Sequence, residues 1–203
     1  LTSEIVSKEE MNEIGHLWLI FSLLGSWCVG FYAFFLSLVY ISAYSTYSMY
    51  PLRLRRFPII SSFLISIAGL ATILSGFFFV SIDKNFRNFP VLLSIGIIIM
   101  ITLAINTKDL KDVEGDSENG IMTIPTLFPN YGHKIVGMLF GLSLLLVPIF
   151  LRVYTIFIFS VPSAVLAYIY INKKPYSEKP LFVIRFLFLA LVIINYLFIY
   201  SWF

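Results

Sequence analysis

The sequence predicts an all-α integral membrane protein, a multi-helix transmembrane bundle that forms a single domain over residues 1–203. Of the 203 residues, 59% are hydrophobic and only 12% are charged, against about 25% charged in a typical soluble domain. The charged residues are also clustered, so that long uncharged runs separate them. A helix needs about 20 apolar residues to cross the roughly 30 Å of hydrocarbon in a bilayer, and the runs have this length.

The uncharged runs predict about seven membrane-spanning helices. Ser7 and Glu10 have the spacing of a capping box and predict a helix start ahead of the first run. That run, 14–52, is much longer than the others, and Gly25 and Gly30 near its middle favour a turn that divides it into two spans. Each later run fits one crossing. The predicted spans are 15–29, 32–49, 58–80, 89–107, 133–151, 154–172 and 181–202.

The charges in the loops predict the orientation of the bundle. When the loops are assigned to alternate sides, all of the 14 Lys and Arg except Lys84, Arg87 and Arg152 fall on one side. The positive-inside rule makes that side cytoplasmic. The acids lie on the same side, Asp83 excepted, although Asp and Glu contribute little to orientation. Topology therefore does not explain where the acids are.

Five of the 11 acids lie in one segment, NTKDLKDVEGDSENGIMTIP, residues 106–125. If the preceding helix continues past Thr107, a rotation of about 100° per residue places three aspartates on one face. Asn106 lies at the edge of that face, and the two glutamates point away from it. The aspartates of this face are Asp109, Asp112 and Asp116, and the glutamates are Glu114 and Glu118.

Three carboxylates one helical turn apart repel each other unless a cation lies among them. Mg²⁺ is the natural candidate, because it prefers oxygen ligands and is commonly shared between one or two carboxylates and the phosphates of a substrate. The alternative is a run of acids that simply face water. The spacing does not fit an EF-hand loop, and the chain has no GxxxxGK[ST] phosphate loop.

A second segment, YSMYPLRLRR, residues 47–56, ends the second predicted span on the same side of the membrane. Its arginines either anchor the loop by the positive-inside rule or bind phosphate, which guanidinium groups hold bidentately. Carboxylates for a metal and arginines for phosphate at one membrane surface together describe a diphosphate site.

These two segments together resemble those of the UbiA-type intramembrane prenyltransferases. YSMYPLRLRR is similar to their Y-S-x-x-P-L-R-L-K-R segment, and DLKDVEGDSENGIMTIP is similar to their second Asp-rich motif, D-x-x-D-x-x-x-D followed by G-x-x-T-x-P. The resemblance covers essentially the whole chain and matches the third to ninth helices of a nine-helix family fold. The family's first motif, N-D-x-x-D-x-x-x-D, does not occur in the sequence given. We therefore expect a fragment that lacks the first two helices, and the activity of this truncated chain stays open.

The resemblance implies transfer of a polyisoprenyl group from a prenyl diphosphate to an aromatic or lipid acceptor, with Mg²⁺ as cofactor, at the cytoplasmic membrane face. By position, Asp109, Asp112 and Asp116 would be catalytic residues, with Asp112 and Asp116 as metal ligands and Asp109 as a further metal ligand or an acceptor-side acid. Gly120, Thr123 and Pro125 would shape the loop that caps the site. The residues that would bind the diphosphate are Tyr47, Tyr50, Arg53, Arg55, Asn106 and Lys108.

The alternative interpretation is a non-catalytic degenerate homologue, or a membrane transporter, whose acids only face water. The near absence of polar residues in the middle of the spans argues against a transporter. The expected partners are the two substrates and membrane lipid, and no nucleic acid is expected. The sequence does not select the acceptor, the prenyl chain length or the oligomeric state.

Overall fold

A computed structural model describes residues 7–83 and 85–200, and the regular secondary structure in those residues is entirely helical. This confirms the predicted all-α fold. Lys84 and the last residues of the seventh predicted span, 201–202, lie outside the described residues. Five helices in the described part of the chain are long and apolar enough to cross a membrane, which supports a multi-pass membrane protein: Pro58–Val80, Val91–Leu110, Gly132–Leu151, Tyr154–Asn172 and Lys179–Ile199.

The α-helices follow the predicted spans closely, with two short additions in the acidic segment. Short 3-10 turns lie at Leu54–Arg56, Phe86–Asn88, Ile105–Leu110 and Tyr154–Ile156. In chain order the α-helices are α1 (Lys8–Val29), α2 (Phe31–Ser48), α3 (Pro58–Val80), α4 (Val91–Ala104), α5 (Val113–Glu118), α6 (Ile124–Leu127), α7 (Gly132–Leu151), α8 (Phe157–Asn172) and α9 (Lys179–Tyr200).

The first long run is divided at Gly30, whose φ of 141° lies outside the range that other residues readily adopt. The capping box is also present, because the Ser7 hydroxyl accepts from the Glu10 N–H and the Glu10 carboxylate accepts from the Ser7 N–H. The two helices on either side of Gly30 are less apolar than the five helices that can cross a membrane and are not among them, so five of the seven predicted spans are supported. Helix α1 begins with acids, and α2 carries Ser and Thr along its length.

The long helices pack against their neighbours in chain order, and the largest core lies between α7, α8 and α9. Phe140, Ile156 and Ile171 are its largest fully buried side chains. Helices α3 and α4 are joined by hydrogen bonds between side chains, which help hold helices together in lipid. The Ser62 hydroxyl donates to Asn106 Oδ1, and the Thr102 hydroxyl donates to Ser66 Oγ, both at 3.0 Å.

The expectation that one α-helix runs through the aspartates is wrong. Helix α4 ends at Ala104, the chain continues as a 3-10 turn to Leu110, and α5 begins after a bend at Asp112. Side chains of the segment take the carbonyls that a longer α-helix would use: the Asn106 amide donates to Thr102 O and Leu103 O, and the Thr107 hydroxyl donates to Ala104 O. Such local bonds compete with regular helix geometry.

Candidate functional site

The two segments singled out in the sequence lie side by side in the structure. The Met122 N–H, just after the acidic segment, donates to the carbonyl of Arg56 at 3.3 Å. The loop that makes this contact begins at Gly120, which caps α5 with a left-handed φ of 63°. The backbone therefore joins the acidic loop to the arginine segment between α2 and α3.

We call the 3-10 helix Ile105–Leu110 the acidic turn. Lys108 connects the end of α2 to this turn. Its Nζ donates to the Tyr47 hydroxyl at 2.8 Å and lies 4.8 Å from the centre of the same ring. The same Nζ is 3.9 Å from Asp109 Oδ1. The ammonium group of Lys108 is thus held between the aromatic ring of Tyr47 and the carboxylate of Asp109.

The three aspartates interact electrostatically with one another, although the chain bends at Asp112 and does not form the predicted continuous helix. We call Asp109, Asp112 and Asp116 the acidic cluster. Asp109 is buried and interacts electrostatically with both other carboxylates. Partial burial, followed by the charge of Asp112, raises the pKa of Asp116, while the charges of Lys108 and Arg55 lower it. The cluster therefore carries negative charge that its neighbouring cations only partly offset.

Arg55 lies close enough to this cluster to interact with Asp116, and one of its hydrogen-bond donors is unpaired. Its charge acts on Asp116, and its buried Nε has no hydrogen-bond partner among the described residues. A buried donor without a partner is uncommon in folded proteins and needs an explanation, such as a ligand or a water molecule. An anion bound next to Arg55 would supply the missing acceptor.

The remaining predicted diphosphate-binding residues lie in different surroundings. Arg53 is exposed and adopts a left-handed φ of 42° just before the 3-10 turn, while Tyr50 is 89% exposed. Asn106 is buried, and its amide group bonds to α3 and to its own helix. The structure therefore gathers Tyr47, Arg55, Lys108 and the acidic cluster, but it does not bring Asn106 to them.

Replacing Asn106 by Ala is expected to lower the thermal stability of the protein without changing its affinity for an anion at the site. The substitution leaves the Ser62 hydroxyl buried without its acceptor, at a cost of about 1–3 kcal/mol. Thermal unfolding in detergent measures the loss. Ser62→Ala removes the donor instead of the acceptor and is the matched control, with a smaller expected loss. An unchanged melting temperature together with weakened anion binding would place Asn106 in the site after all.

The acidic cluster fits a partial metal site and not a complete one. Among residues 7–83 and 85–200 there is no group of three or more His, Cys, Asp or Glu side chains arranged to hold a metal ion. Mg²⁺ is usually bound by one or two carboxylates together with phosphate oxygens and water. The exposed Asp112 and partly buried Asp116 provide oxygen donors with uncompensated charge, so the residues fit Mg²⁺ that is shared with a diphosphate.

The loop after the cluster is closed by the short helix α6. Thr123 begins this helix, and its N–H donates to the Thr126 hydroxyl at 2.8 Å. Pro125 is buried against Gly132 at the start of α7. The residues predicted to shape the cap therefore form a compact turn that is fixed on α7.

Two side chains that contact the acidic turn were missed in the sequence. Arg185 of α9 donates to the Thr107 hydroxyl, and the Tyr176 hydroxyl donates to the Thr107 carbonyl at 3.4 Å. The sequence did contain one indication for Arg185, because it is a single charged residue within an otherwise apolar span, and such a residue is a candidate for a functional role. Its partner, 78 residues away, gave no signal.

Comparison with known proteins gives one match. The chain matches the model of the UbiA prenyltransferase family over residues 1–192. Searches of curated proteins and of solved structures found no match.

Proposed function

Because the chain belongs to the UbiA prenyltransferase family, we propose that it transfers a prenyl group from a prenyl diphosphate to an aromatic or lipid acceptor, with Mg²⁺ as cofactor. The observation that carries this proposal is the meeting of the acidic cluster with Lys108, Arg55 and Tyr47 at one end of the helices. Cations and carboxylates in one place provide ligands for phosphate and for a divalent metal.

The cationic residues bind the diphosphate. Arg55 offers an unpaired buried Nε, and Lys108 is held in place by Tyr47. Arg53 and Tyr50 lie at the exposed edge of the same segment, where they would be available to bind phosphate oxygens. Charge-assisted hydrogen bonds from fixed donors stabilise the negative charge that develops on the diphosphate as it leaves.

The acidic cluster holds the metal ion. Asp112 and Asp116 provide two carboxylates, and Asp109 provides a third donor or orients Lys108. When bound, Mg²⁺ neutralises charge on the diphosphate and so makes it a better leaving group. The apolar helices below the site exclude water from the reacting carbon, where positive charge develops, and aromatic faces stabilise such charge.

We place this site at the cytoplasmic face of the membrane. The basic residues that set the predicted orientation, including Arg55, Arg56 and Lys108, lie on the same side of the bundle as the acidic cluster. The positive-inside rule assigns that side to the cytoplasm. Cysteine scanning with a reagent that does not cross membranes measures it: a Cys placed at Ser117 is expected to react only after the membrane is opened.

Prenyl transfer by the full-length protein in nanodiscs is the direct test. The protein is incubated with a labelled prenyl diphosphate and a panel of aromatic and lipid acceptors, with Mg²⁺ or with a chelator. We expect labelled product with at least one acceptor, and its loss on chelation. Movement of intact prenyl diphosphate across the sealed membrane of proteoliposomes, with no product from any acceptor in nanodiscs, would support the transporter alternative instead.

Tyr47→Phe is expected to raise the KM for prenyl diphosphate about fivefold, with a smaller change in kcat. The substitution removes the hydroxyl that accepts a hydrogen bond from Lys108 at 2.8 Å but keeps the ring against the ammonium group. Because that contact remains, we expect a loss of about 1 kcal/mol, which is about fivefold and less than the 1.5–3 kcal/mol typical of a hydrogen bond to a charged group. Tyr50→Phe is the comparison, because that side chain is 89% exposed. Initial rates over a range of diphosphate concentrations separate the two constants. Equal effects of the two variants would contradict the special position of Tyr47.

A further inference from the structure

Arg185 is the only charged residue between Leu181 and Tyr200 in α9. A charge inside a membrane span is costly and is usually kept for a specific partner. An Arg near the end of a span commonly extends to the headgroups. Here the side chain is exposed along part of its length, but its guanidinium group contacts the bundle: the guanidinium carbon lies 4.7 Å from the centre of the buried Phe140 ring, and Nη2 donates to the Thr107 hydroxyl.

The groups that Arg185 contacts belong to the start of the acidic turn. Nη2 also donates to the carbonyl of Ala104, the last residue of α4, at 3.4 Å. The Ala104 carbonyl also accepts from the Thr107 hydroxyl and lies where α4 passes into the 3-10 turn, so Arg185 binds where this turn starts. Thr107 directly precedes Lys108 and Asp109, so Arg185 holds the backbone from which both side chains project.

The loop between α8 and α9 contacts the same turn at two further points. The Tyr176 hydroxyl donates to the Thr107 carbonyl at 3.4 Å. Partial burial, followed by the charge of Glu178, raises the pKa of Tyr176 to about 12, so the hydroxyl keeps the proton that it donates. Beyond the turn, Lys111 Nζ lies 3.4 Å from Glu178 Oε2. The acidic turn is therefore held on both sides of Asp109.

We propose that Arg185 and Tyr176 are positioning residues for the catalytic turn, because they hold Thr107 and thereby fix Lys108 and Asp109 in the geometry that binds metal and diphosphate. This inference rests on the proposed function for its catalytic part. Its structural part, the fixing of the turn, holds independently of the reaction. The two parts are therefore tested by separate measurements.

Hydrogen exchange of the metal-free protein tests the structural part. In Arg185→Met, which keeps the length of the side chain, the amides of residues 105–112 are expected to exchange about tenfold faster than in the parent, as in a locally opened segment. Lys179→Met is the matched control, because it removes an exposed charge from the same helix and leaves the turn in place. Parent-like exchange of the turn in Arg185→Met would overturn the proposal.

The Mg²⁺ dependence of prenyl transfer tests the catalytic part. Mutation of a residue that orients metal ligands typically lowers metal affinity 10- to 100-fold. The Arg185→Met variant is therefore expected to need about tenfold more Mg²⁺ for its half-maximal rate. The KM for the acceptor stays unchanged, and Arg185→Lys recovers part of the loss because it keeps the charge. A lower rate at unchanged Mg²⁺ dependence would overturn the positioning role. Absence of transfer by the parent would overturn the proposed function, while the exchange measurement would still decide the role of Arg185 in the turn.

If Arg185→Met does not fold, two milder variants test whether the contacts of Thr107 position the acidic turn. Thr107→Val replaces the hydroxyl by a methyl group of the same shape, and Tyr176→Phe removes only the bond to the Thr107 carbonyl. Each is expected to shift the Mg²⁺ requirement about threefold, in proportion to the loss of one hydrogen bond. The double variant Arg185→Lys with Thr107→Val is expected to be no worse than the more damaging single variant, because both act on one contact. Independent, multiplying effects would contradict a shared role.

Discussion

Asp116→Asn is expected to lower kcat/KM for prenyl transfer by about 10² or more at saturating Mg²⁺. Asn has the size of Asp but lacks the charge that a divalent cation requires, and metal neutralisation of a leaving diphosphate is worth several kcal/mol, at about 1.4 kcal/mol for each tenfold in rate. The measurement is the initial rate of labelled product formation by the full-length protein in nanodiscs. Asp112→Asn is expected to behave in the same way.

The control for this prediction is Glu118→Gln, which removes an exposed carboxylate two residues further along the same short helix. It changes the net charge by the same amount and is expected to stay within about twofold of the parent rate, since screened surface charges contribute little. Equal losses in the two variants would mean that only the overall charge of the loop matters. In that case the acidic cluster would not be the metal site.

Asp116→Asn is also expected to raise the melting temperature of the metal-free protein. The pKa of Asp116 is raised by burial and by Asp112, so its ionised form is less stable in the folded protein than in the unfolded chain. Removing that charge at neutral pH therefore stabilises the fold. Adding Mg²⁺ together with diphosphate reverses the order, because the ligand stabilises the protein that binds it. A melting temperature that falls on substitution would contradict a raised pKa of Asp116 in the folded protein.

The positions of the long helices, and the two segments that lie side by side in the structure, could be predicted from the sequence, because both depend on local pattern. Uncharged runs of bilayer length define helices such as Pro58–Val80 to the residue. The acidic cluster was predicted for an incomplete reason: the aspartates interact with one another although the chain bends at Asp112 and no one helix carries them all. Periodicity gives the helical face of a residue only as long as the helix continues.

The rest of the site depends on contacts that sequence spacing does not contain. Asn106 has the residue type of a site residue, yet its amide forms hydrogen bonds to α3 and to α4. Arg185 has the residue type of a positive-inside anchor, yet it holds Thr107 from a helix 78 residues away. In both cases the packing of the helices determines the hydrogen-bond partner, and a single sequence does not show which side chains are brought together.

Gly132→Ala is expected to destabilise the protein by about 1–3 kcal/mol, as overpacking of a buried site does. A Cβ at position 132 would lie 2.6 Å from Pro125 Cα and 3.3 Å from Pro125 N. These are backbone atoms of α6, so no side-chain rotation relieves the clash and the short helix must move. Gly115→Ala is the control, because a Cβ there has no neighbour within 4 Å and Ala is favoured within α5 by up to about 1 kcal/mol.

A displacement of α6 is also expected to affect substrate binding, so the Gly132→Ala variant tests how the site is assembled. Helix α6 begins at Ile124, and the Met122 N–H just before it makes the backbone bond to Arg56 that joins the acidic loop to the arginine segment. If that bond sets the separation of carboxylates and guanidinium groups, Gly132→Ala raises the KM for prenyl diphosphate about tenfold, since a displacement of about 1 Å is costly in a preorganised site. Hydrogen exchange at residues 121–128 measures the movement directly. Faster exchange there with an unchanged KM would show that the two segments keep their spacing without the cap, and that Lys108 bound to Tyr47 is sufficient to join them.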